Sequence, residues 1–142
     1  MTVQRILADK GATVTTCQPH DPIADVARLL ADKKIGAVVI LRGEAVAGIL
    51  SERDIVRAIA AHGAKALARP ASDIMTQNVV TCGPLDSNDH VMQLMTGGRF
   101  RHLPVVDDGK LVGIVSIGDV VKRRIAEIER EAAQIRDYIT MA

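Results

Sequence analysis

Aromatic residues are almost missing from this chain, with one Phe, one Tyr and no Trp in 142 residues. Their scarcity removes the stacking platforms that a binder of single-stranded nucleic acid presents, and it leaves the core to Val, Ile, Leu, Ala and Met. An excess of one charge is missing too. The 18 Lys and Arg stand against 17 Asp and Glu, for a formal net charge of +1, so no basic footprint for a nucleic acid is expected. Only Cys17 and Cys82 carry thiols, far apart and in no Cys-x-x-Cys arrangement. That usage fits two buried thiols of a reducing compartment better than a disulfide. No apolar run approaches the ~20 residues that span a bilayer, and charge interrupts Met1 to Asp9 too early for a secretory signal. A cytoplasmic protein without membrane contact is expected.

Catalytic signatures are absent as well. The sequence has no Gly-x-Ser-x-Gly elbow, no Walker A motif and no Gly-x-Gly-x-x-Gly. No His/Cys/Asp group has zinc spacing, and His20, His62 and His90 stand isolated. Without a nucleophile, a base and an orienting group, enzymatic activity is not expected.

What is present is a repeat. Shifted by 65 positions, the sequence falls on itself from about residue 14 to residue 59. Thr16-Cys17 meets Thr81-Cys82, Pro19 meets Pro84, Asp21 meets Asp86, Gly48-Ile-Leu-Ser51 meets Gly113-Ile-Val-Ser116, and Asp54 meets Asp119. Each copy reads β-α-β-β-α. Val14–Thr16 and Val79–Thr81 are expected as short β-branched strands. Asp21 is expected to cap a helix with Pro22 in its first position, followed by a buried stripe of Ile23, Val26, Ala27 and Leu30. Gly97-Gly98 supplies the left-handed end of the equivalent second helix. The compact apolar runs Ala37–Leu41 and Leu103–Val106 turn at Arg42-Gly43-Glu44 and Asp107-Asp108-Gly109 into Val46–Leu50 and Lys110–Val115. Repeat one is drawn as 1–62, a linker as 63–71 and repeat two as 72–142, with a short helical turn expected around Ser72–Met75. Neither half buries its apolar strands alone, so one intertwined α/β module is expected.

The chemistry sits in Ser51-Glu-Arg-Asp54 and Ser116-Ile-Gly-Asp119, each at a strand-to-helix junction. Ser-x-x-Asp is a capping box, the serine accepting a helix N–H and the acid reaching back. The same junction offers free N–H groups and the positive end of a helix dipole to a phosphate. A carboxylate one turn on can accept both hydroxyls of a ribose.

Gly-Ile-[Leu/Val]-Ser-x-x-Asp occurring twice, with Arg101-His-Leu-Pro-Val-Val-Asp-Asp-Gly-Lys-Leu-Val-Gly113 before the second copy, resembles the cystathionine-β-synthase (CBS) domain. The resemblance covers about Ile6 to Ile125. It implies two repeats about a pseudo-twofold axis with two clefts for adenosine-containing ligands: AMP, ADP, ATP, NAD(H) or S-adenosylmethionine. It implies one cleft in which Asp119 holds ribose and Ser116 a phosphate, beside Ile114. Ile35, Gly36 and Ala37 would line its adenine end, Ala12 would stand nearby, and Arg101 and His102 would face the phosphate. The second cleft would use Ser51, Arg53 and Asp54 beside Ile49, with Phe100, Arg101 and Leu103 near the base and Thr76 and Val79 on the entry segment. Copy one has Gly36-Ala37 where copy two has Arg101-His102. The Asp119 cleft is therefore expected to be the more cationic and to suit AMP. A signalling role, a homodimer and an effector protein that reads the bound state are further implications. An interaction module with empty clefts is the competing reading.

From Ile117 no residue breaks the helical pattern. Val121, Ile125, Ile128, Ala132, Ile135 and Ile139 follow the four-three spacing of an a/d seam, under three heptads long. This seam is expected either to lie on the protein's own surface or to meet a second copy.

Overall fold

The computed structural model describes residues 1–141. Its elements run α1 (Val3–Lys10), β1 (Thr16–Cys17), α2 (Ile23–Lys33), β2 (Ala37–Arg42), β3 (Ala45–Ser51) and α3 (Glu52–His62). Two 3-10 turns follow, at Gly63–Ala68 and Ala71–Asp73. The chain continues with α4 (Asn88–Gly98), β4 (His102–Asp107), β5 (Lys110–Ser116) and α5 (Ile117–Met141). The repeat is thus realised as two α/β halves with a long final helix.

In the first half β1 pairs parallel with β2, and β2 pairs antiparallel with β3. In the second half β4 pairs antiparallel with β5 in the matching register: Ala37 faces Ser51 as His102 faces Ser116. The hairpins turn where positive φ is tolerated, at Gly43 in one copy and at Asp108-Gly109 in the other. Both hairpins shift register at matching places: Ile40 faces Gly48 but Leu41 faces Val46, and Val105 faces Gly113 but Val106 faces Leu111, so the extra residue lies on the returning strand.

Each half has its own apolar cluster. Ile23, Val26, Leu30, Val38, Ile40 and Leu50 build the first; Val91, Met95, Leu103, Val105, Val115 and Val120 build the second. Packing crosses the repeat boundaries drawn from sequence. Ala71, at the end of the linker, and Met75, beyond it, belong to the first cluster. Val3, Ile6 and Leu7 of α1 belong to the second. Thr76 exchanges backbone hydrogen bonds with Ile49 on the outer edge of β3, at 2.9 and 3.1 Å. The halves are intertwined through these exchanged segments.

Several local expectations are corrected. Val79–Thr81 forms no strand; the second entry segment is a single parallel bridge, Cys82 to Val105. Asp21 does not cap α2: Oδ2 accepts from the Gln18 N–H at 2.9 Å, closing the preceding turn, as Asp86 does for Gly83 at 2.7 Å. Pro22 stands at the helix cap. The left-handed residue after α4 is Arg99, φ 58°, and not a glycine. Gly98 is needed because a Cβ there would enter the Phe100 ring. The linker is largely a 3-10 turn that buries Ala66.

Candidate functional site

Both Ser-x-x-Asp boxes form. The Asp54 N–H donates to Ser51 Oγ at 3.3 Å, while the Ser51 N–H and hydroxyl donate to Asp54 Oδ2 at 2.9 and 3.0 Å. In the second copy the Asp119 N–H donates to Ser116 Oγ at 3.1 Å, and the Ser116 N–H donates to Asp119 Oδ2 at 2.9 Å. Each box fixes a carboxylate beside the first turn of a helix, where backbone N–H groups point outward. The Glu52 N–H binds the Gly36 carbonyl at 3.0 Å and the Ile117 N–H binds the Arg101 carbonyl at 2.8 Å. Both junctions are therefore tied to the start of the neighbouring strand.

The two boxes then part company. The first opens on a cavity of about 210 Å³ between the halves. Ile49, Ser51, Arg53, Asp54, Thr76, Phe100 and Arg101, all expected in this cleft, line it together. Gly36 and His102, expected in the other cleft, line it too. Glu52, Arg57 and Arg99 complete the wall; these three were missed from sequence. Leu103 is buried inside the second core and Val79 lies outside the cavity lining. Four arginines, Arg53, Arg57, Arg99 and Arg101, line this space together with two acidic residues, Glu52 and Asp54. Among the described residues none of the four arginines is in an ion pair.

The second box is closed by a group the sequence did not reveal. Lys10, the last residue of α1, donates from Nζ to Asp119 Oδ2 at 2.6 Å and to the Ile114 carbonyl at 2.9 Å. Leu7 covers β5 where Gly113 leaves room for it; a Cβ there would lie 2.7 Å from the Leu7 methyl carbon. Beside this contact Asp9, Lys122 and Arg123 line a smaller recess of about 190 Å³, and Arg123 is spent on Asp9 at 2.8 Å. Ser116 is half-buried, Ala37 is buried, Ile35 and Gly36 border a shallow groove between α2 and α3, and Ala12 is exposed. The residues expected in the Asp119 cleft do not gather into one cavity.

Electrostatics follow from this geometry. Burial alone would raise the Asp119 carboxyl, but the hydrogen bonds from Lys10 and Ser116, with the Lys10 charge, outweigh it and hold it below the usual carboxylate value. Burial, then the Lys10 ammonium, holds the His102 imidazole below its ordinary value despite Asp119 and Glu52. His102 is therefore neutral at pH 7 and adds no fixed charge. The expectation that the Asp119 cleft is the more cationic is reversed: the free guanidinium charge surrounds Asp54. Cys17 and Cys82 are unpaired and buried. Burial, with the Asp86 charge behind it, pushes the Cys82 thiol up to about 12, so it stays protonated. Among the described residues no group of His, Cys, Asp and Glu could hold a metal ion, and no helix is long and apolar enough to cross a membrane.

Lys10→Met tests the closing contact. The pair is about a quarter to a third exposed, so the loss expected at pH 7 is about 1 kcal/mol. Because the folded carboxyl titrates below its unfolded value, this contribution is present above the ordinary carboxylate pKa. It fades as pH falls through the lowered folded value. Thermal melts of wild type and Lys10→Met should differ at pH 7 and converge in acid; a constant difference across pH would show that Asp119 is not the partner.

Two α/β repeats with paired capping boxes and a charged cleft between them define the class: a tandem α/β repeat pair. The model of the CBS domain matches residues 11–61 and again 71–126, and the chain belongs to the CBS domain family. A CBS-domain-containing protein of Agrobacterium tumefaciens is similar in structure, with TM-score 0.85 and 47% identity over 87% of this chain and 99% of that one. The CBS domain pair of protein MJ0100, solved with 5'-methylthioadenosine and S-adenosyl-L-methionine, gives 0.80 and 27% over 89% and 98%. A CBS domain protein of Pyrobaculum aerophilum, complexed with AMP, gives 0.75 and 28% over 84% and 89%. CBS pairs of this kind are generally regulatory modules.

Proposed function

We propose that the protein is a regulatory sensor that binds one compact adenine nucleotide, AMP foremost, in the cleft at Asp54, and catalyses no reaction on it. The observation that carries this reading is the unpaired guanidinium cluster around the first turn of α3. Four arginines in a recess at the positive end of a helix suit the phosphate of an anionic ligand. Asp54 spends Oδ2 on Ser51, leaving Oδ1 for ribose hydroxyls, and Phe100 offers an apolar wall for a base. The AMP and S-adenosylmethionine complexes of the two similar pairs support an adenosine ligand. The cavity, about 210 Å³, lies just below the ~300–1,000 Å³ of typical small-molecule sites. That size favours a mononucleotide over NAD(H) or ATP, and the free cationic charge favours AMP over the cationic sulfonium of S-adenosylmethionine.

Calorimetric titration tests this directly. AMP is expected to bind with a stoichiometry of one per chain, and GMP at least tenfold more weakly. Equal affinities would remove the adenine reading, and tighter binding of S-adenosylmethionine would remove the phosphate reading. Lys10→Ala is expected to add a second, weaker AMP event at Asp119. The same proposal makes the protein a homodimer in a reducing compartment such as the cytoplasm, its bound state read by an effector protein. An empty cleft under saturating nucleotide would favour the interaction module instead.

A further inference from the structure

The helix α5 outruns the module. Its body-facing side chains, Val120, Arg123, Arg124 and Glu127, are buried or half-buried, whereas nearly every residue after Ile128 is exposed. The apolar seam lies on neither the core nor the module surface: Val121, Ile125, Ile128, Ile135 and Ile139 are 38% to 66% exposed. Successive residues are 100° apart around a helix, so the seam lies about a quarter turn from the body-facing side. It is free along its full length.

The charges beside the seam say what covers it. With Ile125, Ala132 and Ile139 at a and Val121, Ile128 and Ile135 at d, the e positions are Lys122, Glu129 and Arg136. The g positions are Arg124, Glu131 and Tyr138. In a parallel two-stranded coil each g faces the e five residues on in the other helix. Arg124, which lies 3.4 Å from Glu127 of its own helix and would reach past it, then meets Glu129 of the partner subunit, and Glu131 meets Arg136 of the partner subunit, both attractive and each formed twice by symmetry. Slipping the register by one heptad sets Arg124 against Arg136 of the partner subunit or Lys122 of the partner subunit. Running the helices antiparallel over the whole seam sets Glu129 against its own copy and Lys122 against Arg136 of the partner subunit. Both alternatives pair like charges.

We infer that α5 is the arm of a parallel, in-register coiled coil with a second copy of this chain. This rests on the homodimer reading above and adds its orientation. A seam of under three heptads with an alanine at its centre is short for a free-standing coil. It serves to orient two modules side by side, with both nucleotide clefts at the same end of the coil.

Sedimentation at micromolar concentration tests the homodimer first; a monomer overturns it and this geometry together. In a dimer, Ile128→Cys is expected to cross-link nearly completely under mild oxidation, since d positions face their own copies across a parallel seam. The native thiols are buried and contribute little background. Glu131→Arg exchanges two attractions for two repulsions and is expected to weaken dimerisation about tenfold at low salt. Adding Arg136→Glu is expected to restore it; these two positions are five apart and do not pair within one helix. A dimer that neither cross-links at position 128 nor responds to the exchange overturns the parallel seam and leaves the homodimer reading standing.

Discussion

Asp54→Ala is expected to weaken AMP binding about 10- to 100-fold. A hydrogen bond to a charged group contributes about 1.5–3 kcal/mol, and each 1.4 kcal/mol is a factor of ten. The side chain also serves α3, whose box it closes through Ser51, so some stability goes with it; loss of a cap costs about 0.5–2 kcal/mol. Asp54→Asn separates the two roles. An amide oxygen still accepts from Ser51, so the melting temperature should largely recover, while the affinity should recover only in part. Asp119→Ala, which sequence alone ranks beside Asp54→Ala, is expected to change AMP affinity less than threefold, because Lys10 already holds that carboxylate. Calorimetry on the three variants decides the matter. If Asp54→Ala binds AMP as the wild type does, the first box is a cap and nothing more.

Gly48→Val is expected to cost about 1–3 kcal/mol, the range for overpacking a filled interior. At ~3 °C per kcal/mol for a chain of this size, thermal unfolding should fall by roughly 3–9 °C. A Cβ at Gly48 would lie 2.6 Å from Met75 Sδ and 2.8 Å from the Thr76 carbonyl oxygen. The thioether can swing away, but the carbonyl cannot, since Thr76 is hydrogen-bonded to Ile49 on both sides. The strain therefore falls on the segment that laces the second repeat to β3, and Thr76 also lines the nucleotide cavity. Affinity should drop with stability. Gly113→Val is the control: the atoms nearest its new Cβ belong to the Leu7 side chain and not to backbone, so its cost should be smaller. Equal melting temperatures for wild type and Gly48→Val would show that the lacing contact carries no load.

The hairpins, the helices that follow them and both capping boxes were legible because their signals are local. Apolar runs, turn residues at fixed positions and Ser-x-x-Asp all act within a few residues. The misread elements depend on distant partners. Val79–Thr81 has the residues of a strand but no neighbouring edge to pair with beyond Cys82. Lys10 carries no signal at all, since its partners Ile114 and Asp119 lie more than a hundred positions away. Arg57 was findable: it follows Arg53 by one helical turn and so shares the face that looks onto Asp54. Arg99 was hidden by the assumption that Gly97-Gly98 ends the helix. One residue later in the left-handed conformation, it joins the cavity wall. The charge balance between the clefts was misjudged for the same reason, because it is set by arginines outside the motif and by a lysine from the other end of the chain.

The separation between α1 and β5 also has a kinetic consequence. Val3, Ile6 and Leu7 complete the core of the second repeat, yet during synthesis Lys10 precedes its acceptor at Ile114 by 104 residues. At ~5–20 residues per second, the apolar face of the first helix waits roughly 5–20 s for its mate to leave the ribosome. The first repeat can condense in that interval on contacts close in sequence, whereas the second cannot close until the last hairpin arrives and the long loop is drawn in. How long that face stays open to chaperones or to neighbouring nascent chains is set by the pace of translation, whatever the stability of the finished fold.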